Sequence, residues 1–335
     1  MKKITAMLML LVFSIGITCA DGFSPTKENT VGKYFRLCTP NRENRYLTNN
    51  GAGNTMSGRV VAKFDNQVWR LLGRDDGTFD IQSVYDGSYM AMTSPITTSA
   101  TKPADGWTFG ASDTDGLFVI KSGTNQLNQQ NVSNYNILNW GDGTNTTDDG
   151  CKYRIDEVAY SDFAHFPVKN GYSYTIAGYM ARNGGTTNYV YYNGSTRTMS
   201  QTEPTDETGI WKAVFADGGL KFESVHTPGK YLTYEGADDT GALYDITEGV
   251  APGCVSMKIG NAWSASSETG IMGGAYKSSN GTVQNNNNDW STDWKVTEFS
   301  VGLALSTTPT ELRKNTSAGW VTGLAGTTNN QWSLP

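Results

Sequence analysis

Apolar and polar positions alternate along this chain, as in FDIQS (79–83), FVIKS (118–122), LKFESV (220–225) and WKVTEF (294–299). Period two is the mark of a half-buried strand, and no long window shows the three-and-four spacing of an amphipathic helix. Between the short runs stand DDG, TDG, GDG, ADGG and NNNND, the turn chemistry that tight hairpins require. The pattern predicts an all-β chain of many short strands, a sandwich or a barrel.

The pattern also comes back on itself. DDGTFDIQS (75–83) returns as TDGLFVIKS (114–122), and each copy follows an aromatic strand, Trp69-x-Leu71 and Trp107-x-Phe109, with a third version at Tyr153-x-Ile155. The spacings of 38 and 46 residues hold about four short strands with their turns, so three copies describe a threefold unit. A second set is read at Trp211-x-Ala213-x-Phe215, Met257-x-Ile259 and Trp294-x-Val296. The expectation is two tandem threefold domains of short hairpins, residues 26–158 and 166–301, joined by the aromatic-rich AYSDFAHF (159–166) and short enough to touch. Residues 302–335 lose the alternation and read as a tail, either a linker or a strand or short helix docked on the second domain, the reading that Trp320 and Trp332 favour.

Residues 1–20 carry Lys2 and Lys3, an apolar stretch from Ile4 to Ile17, and small residues up to Ala20, the order of a secretory signal. Cleavage near Ala20 is expected over a lipid anchor at Cys19, because Gly16 and Thr18 suit an anchor site poorly. The remainder has no run of about twenty apolar residues, so no transmembrane segment is expected and the product is read as secreted or held at the cell surface. Charged residues make up 17% and aromatics 11% of the chain, with a net charge of −6. No cluster of Lys and Arg is present to neutralise phosphates, which argues against nucleic acid and against an anionic membrane surface. Neutral polar and aromatic side chains in excess suit a sugar-facing surface instead. Cys38 and Cys151 fall in the expected first and last strands of the first domain, where a bridge and two reduced core thiols are both open; Cys254 reads as core.

The segment NQVWRLL (66–72) resembles the Gln-x-Trp signature of ricin-type β-trefoil lectins, modules often carried by secreted bacterial proteins. GKYFRL (32–37) with RYLTNN (45–50) looks like that family's opening hairpin, and GKYLTY (229–234) is similar to the same hairpin in a later copy. The resemblance implies two tandem β-trefoils, the second divergent and lacking Gln-x-Trp, and glycan binding without catalysis. It also implies that Trp69, and with it Trp107, Tyr153, Trp211 and Trp294, fill the barrel core, that the Gln bonds a neighbouring turn, and that Asn66 faces the sugar. The copies at Trp107 and Tyr153 lack the Asn-Gln pair.

Sugar recognition needs an aromatic face for the apolar side of a pyranose and planar amides or carboxylates for vicinal hydroxyls. NYNILNWGDGTN (134–145) offers Trp140 at a loop tip beside Asn139 and Asp142, and NNNNDW (285–290) offers Asn288, Asp289 and Trp290 in the same style. The acidic loops do not match the alternate-ligand register of a calcium loop. His165 and His226 fall in different domains without spaced partners, so neither zinc hydrolysis nor a Ser-His-Asp triad is expected. No phosphate-cradling glycine loop precedes a helix, and no cofactor is expected. Two rivals to a non-catalytic glycan binder remain: a glycoside hydrolase or its accessory module, which needs two suitably separated carboxylates, and a protein-binding trefoil such as a protease inhibitor.

Overall fold

The computed structural model describes residues 23–132, 134–141, 143–180, 186–216, 219–233, 236–249 and 251–259, and beyond these 262–263, 265–267, 270–272, 276–277, 283–284, 293–299, 314–315 and 320–321. The expected signal segment 1–20, Cys19, and most of the expected tail lie outside the described residues. One single-turn helix, Lys27–Thr30, precedes a chain built of strands.

Twelve strands follow: β1 (Tyr34–Thr39), β2 (Arg45–Thr48), β3 (Ser57–Arg59), β4 (Trp69–Gly73), β5 (Phe79–Ser83), β6 (Tyr89–Ala91), β7 (Thr97–Ser99), β8 (Thr108–Ala111), β9 (Phe118–Ser122), β10 (Asn125–Gln129), β11 (Ile137–Trp140) and β12 (Arg154–Val158). β1, β4, β5, β8, β9 and β12 close an antiparallel ring, with β5 and β9 meeting the residues just before β8 and β12. The three cross-strand pairs Phe35 with Trp69, Phe79 with Trp107 and Phe118 with Tyr153 are equivalent. That equivalence is the physical content of the repeat.

The hairpins β2–β3, β6–β7 and β10–β11 cap the ring. They are stitched by a cycle of backbone hydrogen bonds: Met56 N–H to Ile96 C=O at 2.9 Å, Ile96 N–H to Ile137 C=O at 2.9 Å, and Ile137 N–H to Met56 C=O at 3.0 Å. Indole Nε1 of Trp69 donates to Leu47 C=O at 3.2 Å and that of Trp107 to Met90 C=O at 3.1 Å, so each ring fastens a closing strand to its cap. Satisfying the indole N–H lets a large ring be buried without leaving a polar orphan.

The second barrel uses β13 (Ser173–Met180), β14 (Thr186–Tyr192), β15 (Arg197–Ser200), β16 (Ile210–Ala216), β17 (Gly219–Ser224), β18 (Tyr231–Leu232), β19 (Ala237–Asp238), β20 (Asp245–Glu248), β21 (Val255–Ile259), β22 (Ala262–Trp263), β23 (Ala265–Ser267), β24 (Gly270–Met272), β25 (Tyr276–Lys277), β26 (Val283–Gln284) and β27 (Asp293–Glu298). β13, β16, β17, β20, β21 and β27 close its ring. Here the equivalent pairs are Tyr174 with Trp211, Leu220 with Tyr244, and Val255 with Trp294. The expected middle copy at Met257 is corrected: Met257 lies in β21, the strand that opens the third repeat, and Tyr244 holds the ring position. The chain is therefore all-β, with two β-trefoils in tandem.

Trp69, Trp211 and Trp294 are fully buried and Trp107 is 1% exposed, as their expected core role requires. Cys38 sits in β1, but Cys151 closes the 3-10 turn Asp149–Cys151 ahead of β12 rather than lying within that strand. Both thiols, and that of Cys254, are free and buried.

The two barrels share a seam. Ala62 and Phe64 of the first barrel and Phe166 of the connection join the apolar core of the second, with Phe166 edge-on to Phe64 at 5.6 Å. The connection is strapped down by Asp65 N–H to Ala164 C=O at 2.9 Å and Ala164 N–H to Lys63 C=O at 2.8 Å. The Asp65 carboxylate accepts Phe166 N–H at 2.8 Å and meets His165 Nδ1 at 2.7 Å. Across the seam Arg59 and Asp245, both buried, pair at 3.4 Å. In the unit that follows Glu298, β28 (Lys314–Asn315) and β29 (Trp320–Val321) pair antiparallel.

Candidate functional site

The strongest candidate is the end of β11 in the first barrel, and the expected loop-tip placement is corrected: Trp140 is the last residue of that strand, at the open end of the β10–β11 hairpin and away from its turn at 130–136. β11 enters the cap with Ile137 buried and ends at Trp140, whose partner across the ladder is Gln126 of β10. Trp140 is 42% exposed. Its neighbour Asn139, opposite Leu127, is half-buried, and its amide has no hydrogen bond among the described residues.

The loop beyond the ring is held in place. Gly141 and Gly143 take the left-handed conformation at φ 72° and 74°, where a Cβ would be strained. At Gly143 a Cβ would also stand 2.8 Å from Thr124 C=O. Gln126 then makes a two-way contact with Asn145, donating from Nε2 to its C=O at 3.0 Å and accepting its N–H on Oε1 at 3.2 Å. Asn145 Oδ1 accepts Asp148 N–H at 3.0 Å, and Asp148 in turn receives Asn128 Nδ2 at 2.9 Å. An exposed indole at the end of a strand, with the loop that follows fastened, presents a flat apolar face at little ordering cost. Asp142, expected to share this site, lies outside the described residues, as do Asn288, Asp289 and Trp290.

Asn66 is placed elsewhere. It occupies the 3-10 turn Asp65–Gln67, is 5% exposed, and turns an unpartnered Oδ1 inward. It lines a small cavity at the seam with Thr48, Asn50, Arg59, Phe215 and Asp245. The expectation that Asn66 faces a sugar is thus not met by an open surface: the second barrel covers that side of the turn. Trp140 is not among the residues that line this cavity. Gln67 behaves as expected, accepting Ala62 N–H at 2.8 Å and donating to Val60 C=O at 2.8 Å. At the same place in the third repeat stands Cys151, whose Sγ accepts Gln126 Nε2 at 2.8 Å and Asn128 Nδ2 at 3.2 Å.

Reactive chemistry finds poor footing among the described residues. Burial pushes the Cys38 thiol up to about 12 and raises Cys151 and Cys254 as well, which suppresses the thiolate that a nucleophile needs. His165 is held by Asp65 and stacks on Tyr85 at 5.7 Å, a structural strap on the connection. No group of three or more His, Cys, Asp or Glu is placed to hold a metal among the described residues, and no helix among them is long and apolar enough to cross a membrane.

Two features escaped the sequence. Tyr244 was hidden by the irregular spacing of the second set, although Tyr244-x-Ile246 repeats the form of Tyr153-x-Ile155. The second is an aromatic cluster of Tyr34, Tyr160 and Phe163, with ring centroids 5.4 to 5.8 Å apart. Its one signal was the aromatic content of the connection.

No protein-family model matches the chain, and neither does any curated protein. Among solved structures it is similar to the agglutinin from Abrus precatorius, at 14% identity and a TM-score of 0.31, covering 79% of this chain and 96% of that one. It is similar to a ricin B-like lectin of Macrolepiota procera in complex with lactose, at 11% identity and a TM-score of 0.34, covering 40% and 99%. A mosquitocidal holotoxin is similar at 11% identity and a TM-score of 0.35 over 80% of this chain, which spans about a third (34%) of the toxin's length.

Proposed function

We propose that this chain is a secreted protein that binds extracellular glycan without chemical turnover, through Trp140 and the polar groups around it. The observation that supports this most is the contrast in tryptophan burial: Trp69, Trp107, Trp211 and Trp294 are at most 1% exposed, while Trp140 is 42% exposed at the end of β11. An indole face stacks on the C–H side of a pyranose, and Asn139 with Asp142 are proposed to share its hydroxyls. Asn288, Asp289 and Trp290 are proposed as a similar site on the second barrel, where a second engaged module would add avidity. Asn66 is left out by its burial at the seam.

The test is a glycan and polysaccharide array with the purified chain, then titration of the best oligosaccharide against Trp140→Ala and a reducing-sugar assay. Trp140→Ala is expected to weaken binding by about tenfold, given about 0.5–1.5 kcal/mol for the stacked pair beyond its buried area, while moving the thermal midpoint little. Unchanged binding would remove Trp140 from the site. Release of product would favour a glycoside hydrolase, and silence across the array would favour a protein-binding trefoil.

A further inference from the structure

Closure of the first barrel brings together residues that are far apart in sequence. Tyr34 opens β1 with Phe35 turned into the core, so Tyr34 lies on the outer face. Arg70 lies outward on β4 between the buried Trp69 and Leu71, and the pairing of Phe35 with Trp69 sets Arg70 beside Tyr34. β12 pairs with β1 from Tyr34 opposite Val158, delivering the following 3-10 turn Tyr160–Asp162 and Phe163 to the same face.

Three aromatic rings meet there. Tyr34 lies 5.8 Å from Tyr160 and 5.4 Å from Phe163, and Tyr160 lies 5.5 Å from Phe163 in an edge-on arrangement. Packing the connection onto the barrel accounts for Tyr34 and Phe163, which are half-buried. It does not account for Tyr160, which is 72% exposed. An exposed ring that continues a cluster of half-buried ones, unlike a lone exposed ring, marks a contact surface.

The charges around the cluster supply the second observation. Lys33 is paired with Glu157 at 2.8 Å and Lys27 with Asp75 at 2.6 Å. Ser161 occupies the Asp162 carboxylate at 3.2 Å. Arg42, Arg45, Arg59, Arg74 and Arg154 each have a carboxylate partner. Arg70 has none among the described residues. Its guanidinium lies 5.3 Å from the Tyr34 ring centre, with Nη2 3.4 Å from Tyr34 Oη. A guanidinium stacked on a ring keeps its edge donors for a carboxylate, which it grips in bidentate fashion.

We propose that Tyr160, Tyr34 and Arg70 form a second binding site, for an acidic sugar residue of a glycan. This rests on the glycan-binding reading above and adds a ligand class to it. A pyranose carrying a carboxylate on its ring presents the C–H face to Tyr160 and the carboxylate to Arg70, both of which meet Tyr34. The chain's net charge of −6 opposes loose accumulation of a polyanion, so selectivity comes from the local fork rather than from the overall field.

The experiment titrates the full chain with tetragalacturonic acid and with its methyl ester, alongside Arg70→Gln, Tyr160→Ala and Trp140→Ala. The acid is expected to bind about tenfold or more tighter than the ester, the scale of a charge-assisted hydrogen bond. Arg70→Gln should erase that difference, Tyr160→Ala should weaken both ligands by about fivefold, and Trp140→Ala should leave the difference standing. Both replaced side chains of the cluster are exposed, so thermal midpoints should hold. Equal binding of acid and ester, or a difference that survives Arg70→Gln, overturns the site. Loss of neutral-glycan binding in Trp140→Ala with no response to either probe overturns this inference alone. Silence to every neutral and acidic glycan overturns the glycan reading together with it.

Discussion

The two barrels solve one packing problem with the same set of rings in a different order. The first places Trp69, Trp107 and Tyr153 at the head of its closing strands, and the second places Trp211, Tyr244 and Trp294 there. Three of the indoles reach a cap-strand carbonyl with the ring N–H, from Trp69 to Leu47, Trp107 to Met90, and Trp211 to Val190 at 3.0 Å. The tyrosines differ: Tyr244 Oη reaches Leu232 C=O at 3.4 Å, while Tyr153 Oη is buried without a partner. The position therefore demands a large flat ring, and the hydrogen bond is an addition that one repeat forgoes. The end of β11, free of that demand, is where Trp140 can be exposed.

The largest effect expected follows from the shared demand. Trp69→Ala and Trp211→Ala should each cost about 3–5 kcal/mol, the range for removing a fully buried tryptophan, with the carbonyl of Leu47 or Val190 also left short of a donor. Urea unfolding checks this, and a loss below about 1 kcal/mol in either barrel would show that its cap holds without the ring. The contrast with Trp140→Ala, where binding rather than stability should fall, separates the core rings from the exposed one.

The next effect tests the seam, where the barrels stop being independent copies. Asp245 follows Tyr244 directly, and its carboxylate meets Arg59 of the first barrel at 3.4 Å, both side chains less than a tenth exposed. Burial pushes the Arg59 guanidinium downward in pKa and Asp245 counters it. Asp245→Asn removes that buried counter-charge and should cost about 3 kcal/mol. The double replacement Arg59→Met with Asp245→Leu should recover most of it, because an apolar pair needs no compensation. Equal stability of the single and double variants would mean that water already reaches Arg59.

Much of this architecture was legible because the repeat is carried by the core. FDIQS and FVIKS place Phe79, Ile81, Phe118 and Ile120 in period two, and the Trp-x-Leu form locates the closing strands, so the threefold all-β fold is readable from the first barrel alone. The second was read less well. Its third repeat runs from β21 through the small pairs β23–β24 and β25–β26 before β27 closes the ring, and the uneven spacing made Met257 a better numerical match than Tyr244. Asn66 fails for another reason. Its local motif is intact, as Gln67 shows, but whether the turn faces solvent depends on the approach of the other barrel, which no local pattern encodes. The Tyr34 and Tyr160 cluster is likewise a product of barrel closure, joining positions from the two ends of one domain.

The smallest effect compares the two tyrosines directly. In Tyr153 the ring is needed and the hydroxyl is a burden, since a buried hydroxyl without a partner costs about 1–3 kcal/mol. Tyr153→Phe keeps the ring and is expected to raise stability by about 1 kcal/mol. Tyr244→Phe loses a long hydrogen bond to Leu232 and should lower stability by about 0.5–1 kcal/mol. pH gives the same test a second axis. Burial, with lesser contributions from Cys151 and Asp148, pushes the Tyr153 hydroxyl well above the ordinary tyrosine range. A raised folded value means that the neutral form's contribution is whole below the unfolded value of about 10 and declines as pH rises past it. Tyr153→Phe should therefore flatten the alkaline decline in urea midpoint as well as lift the neutral value. A fall in stability at neutral pH would show instead that the Tyr153 hydroxyl has found water inside the barrel, and that both barrels use the ring position in the same way.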